Sequence, residues 1–324
     1  MKIGYFLSCE EYGPAELVEQ AAAAEQAGFE ALWISDHFHP WNDEQGESPL
    51  VWSIIGAISQ VCRLPVTTAV TCPTVRVHPV IVAQAAATSS LLLNGRFSLG
   101  VGSGEALNEH ITGANWPATD VRLEMLEEAV EVMRLLWNSD GFVNHRGKHY
   151  TVDDAKLYSK PADPPQVYVS GFGPKAVKLA GRIGDGYIST TPDRDLLQLF
   201  ADSGGAGKTT QAGYKVCWGS DDDTCVATAH RLWSNSGVPG ELSQVLPSPK
   251  HFEQASQLVT KEMTAESIAY GADVERHLQA FKPYAEAGFD EIYISQMGGS
   301  EPATSYAGFF EFYADLLPRL RELG

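Results

Sequence analysis

The sequence predicts a (β/α)8 barrel formed as one domain over residues 1–324, and three observations support it. A unit of helix, glycine turn and short apolar strand ending in Ile-Ser occurs near the start, middle and end: AGFEALWIS at 27–35, AGRIGDGYIS at 180–189 and AGFDEIYIS at 287–295. Strand-like and helix-like runs alternate along the chain, as parallel βαβ units require. The length of 324 residues suits such a barrel. A doubly wound open sheet would show the same alternation, but recurrence of one unit from end to end, without a fixed short period, favours closure.

Taken in order, Lys2 to Leu7 reads as the first strand, because Glu10 and Glu11 end its apolar run too early for a leader. Residues 14–27 form an Ala-rich helix, and Gly28 supplies the left-handed residue that stops it. Gly181 and Gly288 are expected to stop the helices of the two later repeats. Further strands are expected at Pro65 to Thr71, Phe97 to Val101 and Gln166 to Ser170, with helices over 79–93 and 122–138. Two stretches depart from the pattern and read as insertions: 139–165, rich in Asp, Gly and Pro, and 203–250, chiefly at its ends.

Twenty-three basic against 41 acidic residues give a net charge of −18, which repels nucleic acid and anionic membranes. No apolar run reaches the length of a membrane span. The five cysteines are scattered and form no CxxC, so neither a disulfide framework nor a zinc site is expected, and a reducing cytoplasm fits.

Two clusters carry chemistry. Ser35-Asp36-His37-Phe38-His39-Pro40-Trp41 follows the second expected strand, at the barrel face where active sites lie. In extended backbone Asp36 and Phe38 face one way while His37 and His39 face the other. This pattern fits a His-x-His metal pair, a His37 general base, or ordinary loop histidines. Trp41 is a wall for a flat ligand or a packing residue. The second cluster, Gly100-Val101-Gly102-Ser103-Gly104-Glu105-Ala106-Leu107-Asn108-Glu109, has GxGxG spacing. A dinucleotide fingerprint needs its third glycine where Glu105 stands, so the glycines point to close backbone approach and Glu105 to the barrel mouth. Gly204 to Thr209 fails as a phosphate loop because its first glycine is replaced by Asp202. In contrast, Ser170-Gly171-Phe172-Gly173-Pro174 leads from a strand into a helix N-terminus, a site for an anion, with Lys175, Lys178 and Arg182 as nearby cations.

Together SDHFHPW (35–41), Thr-Cys-Pro-Thr (71–74), GVGSGEALNE (100–109) and GRIGDGYIST (181–190) resemble the deazaflavin-dependent glucose-6-phosphate dehydrogenases, within the luciferase-like oxidoreductases. The resemblance implies a homodimeric (β/α)8 barrel that binds coenzyme F420, a deazaflavin with a phosphate and an oligoglutamate tail. FMN is the alternative cofactor, for a luciferase-like monooxygenase or reductase, and a metal-dependent hydrolase is a third reading. By resemblance His37 takes the substrate hydroxyl proton, Glu105 serves the ring as acid, and Trp41 packs beside the substrate. It further implies cofactor contacts at Asp36, Ala69, Val70, Cys72, Gly102, Ser103, Asn108, Ser170, Gly171, Phe172 and Gly173, with a cis peptide between Ala69 and Val70. Lys215 matches a substrate contact, and no metal is implied. The segment 264–273 lacks the cations that the sugar-phosphate enzymes carry there, so a less anionic alcohol than glucose-6-phosphate is expected.

Overall fold

The computed structural model describes residues 1–324. In chain order its strands are β1 (Lys2–Leu7), β2 (Leu32–Ile34), β3 (Val66–Thr68), β4 (Phe97–Val101), β5 (Val143–Arg146), β6 (Thr151–Ala155), β7 (Gln166–Ser170), β8 (Gly186–Ser189), β9 (Thr209–Cys217), β10 (Ala269–Tyr270) and β11 (Glu291–Gln296). Eight of these pair in parallel in the order β11-β1-β2-β3-β4-β7-β8-β9, and β9 pairs with β11 to close the barrel. β5 and β6 form a separate antiparallel hairpin, and β10 adds to the end of β9.

Strand alternation sorts the residues into two cores. Ile3, Tyr5 and Leu7 face outward into a cluster of 58 buried residues shared with the helices, while Phe6 joins Trp33, Tyr168, Ile188 and Tyr293 inside. Trp33 stacks on Tyr293 with ring centroids 4.4 Å apart and donates its indole N–H to Gln211 at 2.9 Å. Glycines on the strands make room for these rings: a Cβ at Gly213 would come within 2.5 Å of Trp33. The filled interior leaves the polar strand ends as the place for a ligand.

Gly28 and Gly288 stop their helices with φ of 93° and 102°, as the repeat predicts. Gly181 does not. It lies inside the helix Pro174–Ile183, where a Cβ would sit 2.7 Å from the Phe200 carbonyl, so its role is close packing against the helix Arg194–Phe200. The stretch 139–165 holds the β5–β6 hairpin, tied to the helix Thr119–Asn138 by the Glu128 carboxylate, which accepts the backbone N–H groups of Lys148, His149 and Tyr150. Within 203–250 the departures from the barrel pattern lie chiefly toward its ends. This stretch contains barrel strand β9 and the helix Asp222–Trp233, and the departures are a π-helical turn at Ala201–Gly205 and short helices between 234 and 267. β9 is hard to read because Gln211, Gly213 and Lys215 put polar or small residues at its alternate positions, so no run of apolar side chains marks it.

Candidate active site

Four motif residues converge at the barrel mouth. The Nε2 of His37 lies 3.4 Å from Glu10 Oε1 and 3.9 Å from Glu105 Oε1. Its Nδ1 lies 3.2 Å from the His39 carbonyl and 3.0 Å from Asn108 Nδ2. The Trp41 ring stands 5.0 Å from the imidazole, centroid to centroid. Asn108 binds the two motifs together: its amide oxygen accepts the N–H groups of Phe38 and His39 at 2.8 and 2.9 Å, and its Nδ2 donates to Glu105 at 2.5 Å. A short helix, Ala106–Glu109, begins directly after Glu105 and so sets Glu105 and Asn108 on adjoining turns.

Asp36 sits just behind this group. One of its oxygens accepts the Thr71 hydroxyl at 2.9 Å and the other pairs with Arg76 at 3.0 Å. Arg76 also holds buried Glu109, whose Oε2 accepts the Arg76 backbone N–H at 2.7 Å. Burial pushes the Glu109 carboxyl up to about 7 against the pull of Arg76. The Ala69–Val70 peptide is cis. A Cβ at Gly102 would come 2.8 Å from Val70, and one at Gly104, with φ of 76°, 2.5 Å from Cys72, so the ends of β3 and β4 interlock through these glycines. Ser103 is half-buried beside them, and buried Cys72 lies 3.0 Å from the Thr74 hydroxyl.

The turn after β7 places half-buried Ser170, then Gly171, whose carbonyl accepts the Tyr187 hydroxyl at 2.6 Å, and then exposed Phe172. Gly173 caps the helix Pro174–Ile183, and a Cβ built there meets nothing within 4 Å. The expected cation cluster is corrected: Lys175 pairs with Asp120 at 2.7 Å and Arg182 with Glu127 at 2.7 Å, because the acidic helix Thr119–Asn138 lies alongside. Exposed Lys178 keeps no ion pair.

Lys215, on β9, donates to Ser8 Oγ at 2.9 Å and lies 3.5 Å from the Trp233 ring centroid. Sequence reading missed its neighbours Glu10, Glu11 and Trp233. Burial favours protonation of Glu10, but His37, Lys215 and a 2.6 Å bond from the Ser35 hydroxyl bring its carboxyl below the ordinary value. His39 does not join His37 as a metal pair: its Nδ1 lies 3.0 Å from the Leu107 carbonyl. A cavity of about 520 Å³ lies away from the mouth, beside Glu124, Glu128, His145 and His149. Those carboxylates already bind the hairpin.

A closed parallel barrel with an imidazole and carboxylates gathered at its strand ends is the framework of a barrel enzyme. The chain belongs to the luciferase-like monooxygenase family, whose sequence model matches residues 1–291. Its relatives include the F420-dependent glucose-6-phosphate dehydrogenase of Amycolatopsis mediterranei, 34% identical over 340 residues and covering 100% of both chains. The enzyme of the same description from Segniliparus rotundus is 36% identical over 341 residues, covering 100% of this chain and 99% of its own. Among solved structures, an F420-dependent secondary alcohol dehydrogenase in complex with an F420-acetone adduct is similar, with a TM-score of 0.90, 32% identity and 99% coverage of both chains. The coenzyme F420-dependent tetrahydromethanopterin reductase of Methanopyrus kandleri, at 17% identity and a TM-score of 0.74, covers 99% of this chain and 100% of its own, and shares the fold. The resemblance drawn from the motifs therefore stands.

Proposed function

We propose that this chain is an F420-dependent oxidoreductase that transfers a hydride between an alcohol or sugar-like substrate and the deazaflavin, as a homodimeric, cytoplasmic, single-domain barrel. The observation that carries this is the joining of His37, Trp41, Glu105 and Asn108 at the mouth. The residues fit the cofactor. The open space at Gly173 and the unpaired N–H groups at the head of the helix Pro174–Ile183 suit its phosphate, with Ser170, Gly171 and Phe172 beside it. Asp36, Ala69, Val70, Cys72, Gly102, Ser103 and Asn108 would support the ring. When bound, F420 supplies a two-electron acceptor for the hydride leaving the carbinol carbon.

The protein's own work is then proton handling. The two neighbours of His37 Nδ1 ask for opposite tautomers: the His39 carbonyl wants a protonated nitrogen, the Asn108 amide a bare one. The tautomer bonded to the carbonyl leaves Nε2 as the base for the substrate hydroxyl. Glu10, 3.4 Å from Nε2, stabilises the imidazolium that results. Glu105 holds the proton exchanged near the ring, and Trp41 closes one wall of the substrate space against water. Lys215, which donates to Ser8, would be the cation on the substrate side.

Titration with purified F420 and with FMN, followed by fluorescence, tests the cofactor. Saturable F420 binding with no FMN binding is expected, and the reverse result would move the chain to the FMN reading. His37→Ala is expected to bind F420 with little change while losing about 10² to 10⁴ in turnover of an alcohol. Normal turnover in that variant would remove His37 as the base.

A further inference from the structure

A substrate bearing a phosphate or carboxylate would need Lys215, and the surroundings of this lysine withhold it. Its ammonium donates to Ser8 and lies between two aromatic faces, 3.5 Å from the Trp233 centroid and 4.8 Å from the Phe6 centroid. The indole N–H of Trp233 in turn donates to Glu11 Oε2 at 2.6 Å. Glu11 is buried, and its other oxygen accepts the Gly298 N–H. One carboxylate thus fixes the ring that covers the ammonium and also opposes its charge. Burial brings Lys215 down to about 8 while Glu10 and Glu11 hold it up, and burial raises the Glu11 carboxyl against the pull of Lys215 and the Trp233 N–H, so at neutral pH the cation faces two buried carboxyl groups. Glu105 adds a further negative group at the mouth, and the other nearby cation, Arg76, is spent on Asp36 and Glu109.

We propose that Glu11, acting through Trp233, reserves the Lys215 ammonium for the protein and restricts the site to alcohols without a negative charge. The word alcohol rests on the oxidoreductase reading; the withholding of Lys215 does not. Glu11 is a specificity-determining residue that acts through its neighbours. Neutralising it releases the cation to an incoming anion, a gain that structural damage would not produce.

Calorimetric titration of the protein with inorganic phosphate tests this without cofactor or turnover. The wild type is expected to bind phosphate no better than the millimolar range, and Glu11→Gln about tenfold more tightly, a gain lost when Lys215→Met is added. Trp233→Leu uncovers the ammonium and leaves the carboxylate in place, so it is expected to gain about threefold and decides the question should Glu11→Gln fail to fold. With F420 present, the kcat/KM preference for glucose over glucose-6-phosphate is expected to fall by about tenfold in Glu11→Gln. Micromolar phosphate binding by the wild type, or folded variants that bind phosphate no better than the wild type, overturns the proposal. Failure of the wild type to bind F420 would remove the oxidoreductase reading and leave the phosphate result to stand by itself.

Discussion

Glu109 shows how single residues behave at this site. Its carboxyl is buried against Arg76, and burial lifts it to about 7 although the guanidinium works against that rise. The folded protein therefore keeps a proton that the unfolded chain releases at lower pH. The stability this provides is complete below the unfolded value and is lost as pH rises to about 7. Glu109→Gln does not titrate, so between pH 5 and pH 8 it is expected to gain on the wild type by about 2–3 kcal/mol in urea unfolding. Parallel curves for the two proteins would show that Glu109 does not titrate there. His37, Trp41, Glu105 and Asn108 were legible in the sequence because they sit in two compact motifs. Glu10 and Glu11 were read only as the end of a strand, since their partners are distant: Ser35 is 25 positions from Glu10 and Trp233 is 222 from Glu11. Arg76 carried a faint signal, a lone arginine after Thr-Cys-Pro-Thr in an acidic chain.

Among the elements, the helix Pro174–Ile183 bears most on the cofactor. Its start was readable from Gly173 and Pro174, because proline suits the first turn and the preceding residue stays extended. The cations assigned to it were misread, because helix periodicity fixes which residues share a face but not which neighbouring helix that face meets. Gly173 has a φ of −133°, open to any residue, and a side chain there meets empty space. Gly173→Leu is therefore expected to fold with a melting temperature within a few degrees of the wild type while F420 affinity falls at least about tenfold. Unchanged affinity would place the phosphate elsewhere. β9 shows the opposite limit: a barrel strand whose inward side chains serve polar contacts loses the apolar alternation by which strands are recognised.

Over the whole molecule the net charge of −18 opposes the approach of a cofactor whose tail is itself polyanionic. With Lys175 and Arg182 already paired, little local positive field offsets this. Raising salt from about 10 to 150 mM is therefore expected to increase kcat/KM for F420 several-fold, as screening removes the repulsion. A decrease would reveal a basic path for the tail.

The sequence alone determined the parallel alternation of strand and helix and favoured closure into a barrel, through local backbone preference and periodicity, and the pairing of β9 with β11 completes it. It also determined the position of His37 and Glu105 at strand ends, because motif and strand lie within a few residues of each other. Tertiary structure decided which charges cancel. Glu11 meets Trp233 and Lys215, and Arg76 bridges Asp36 and Glu109, only once the barrel closes, and electrostatic pairing depends on distance in space, which no local pattern in the chain encodes.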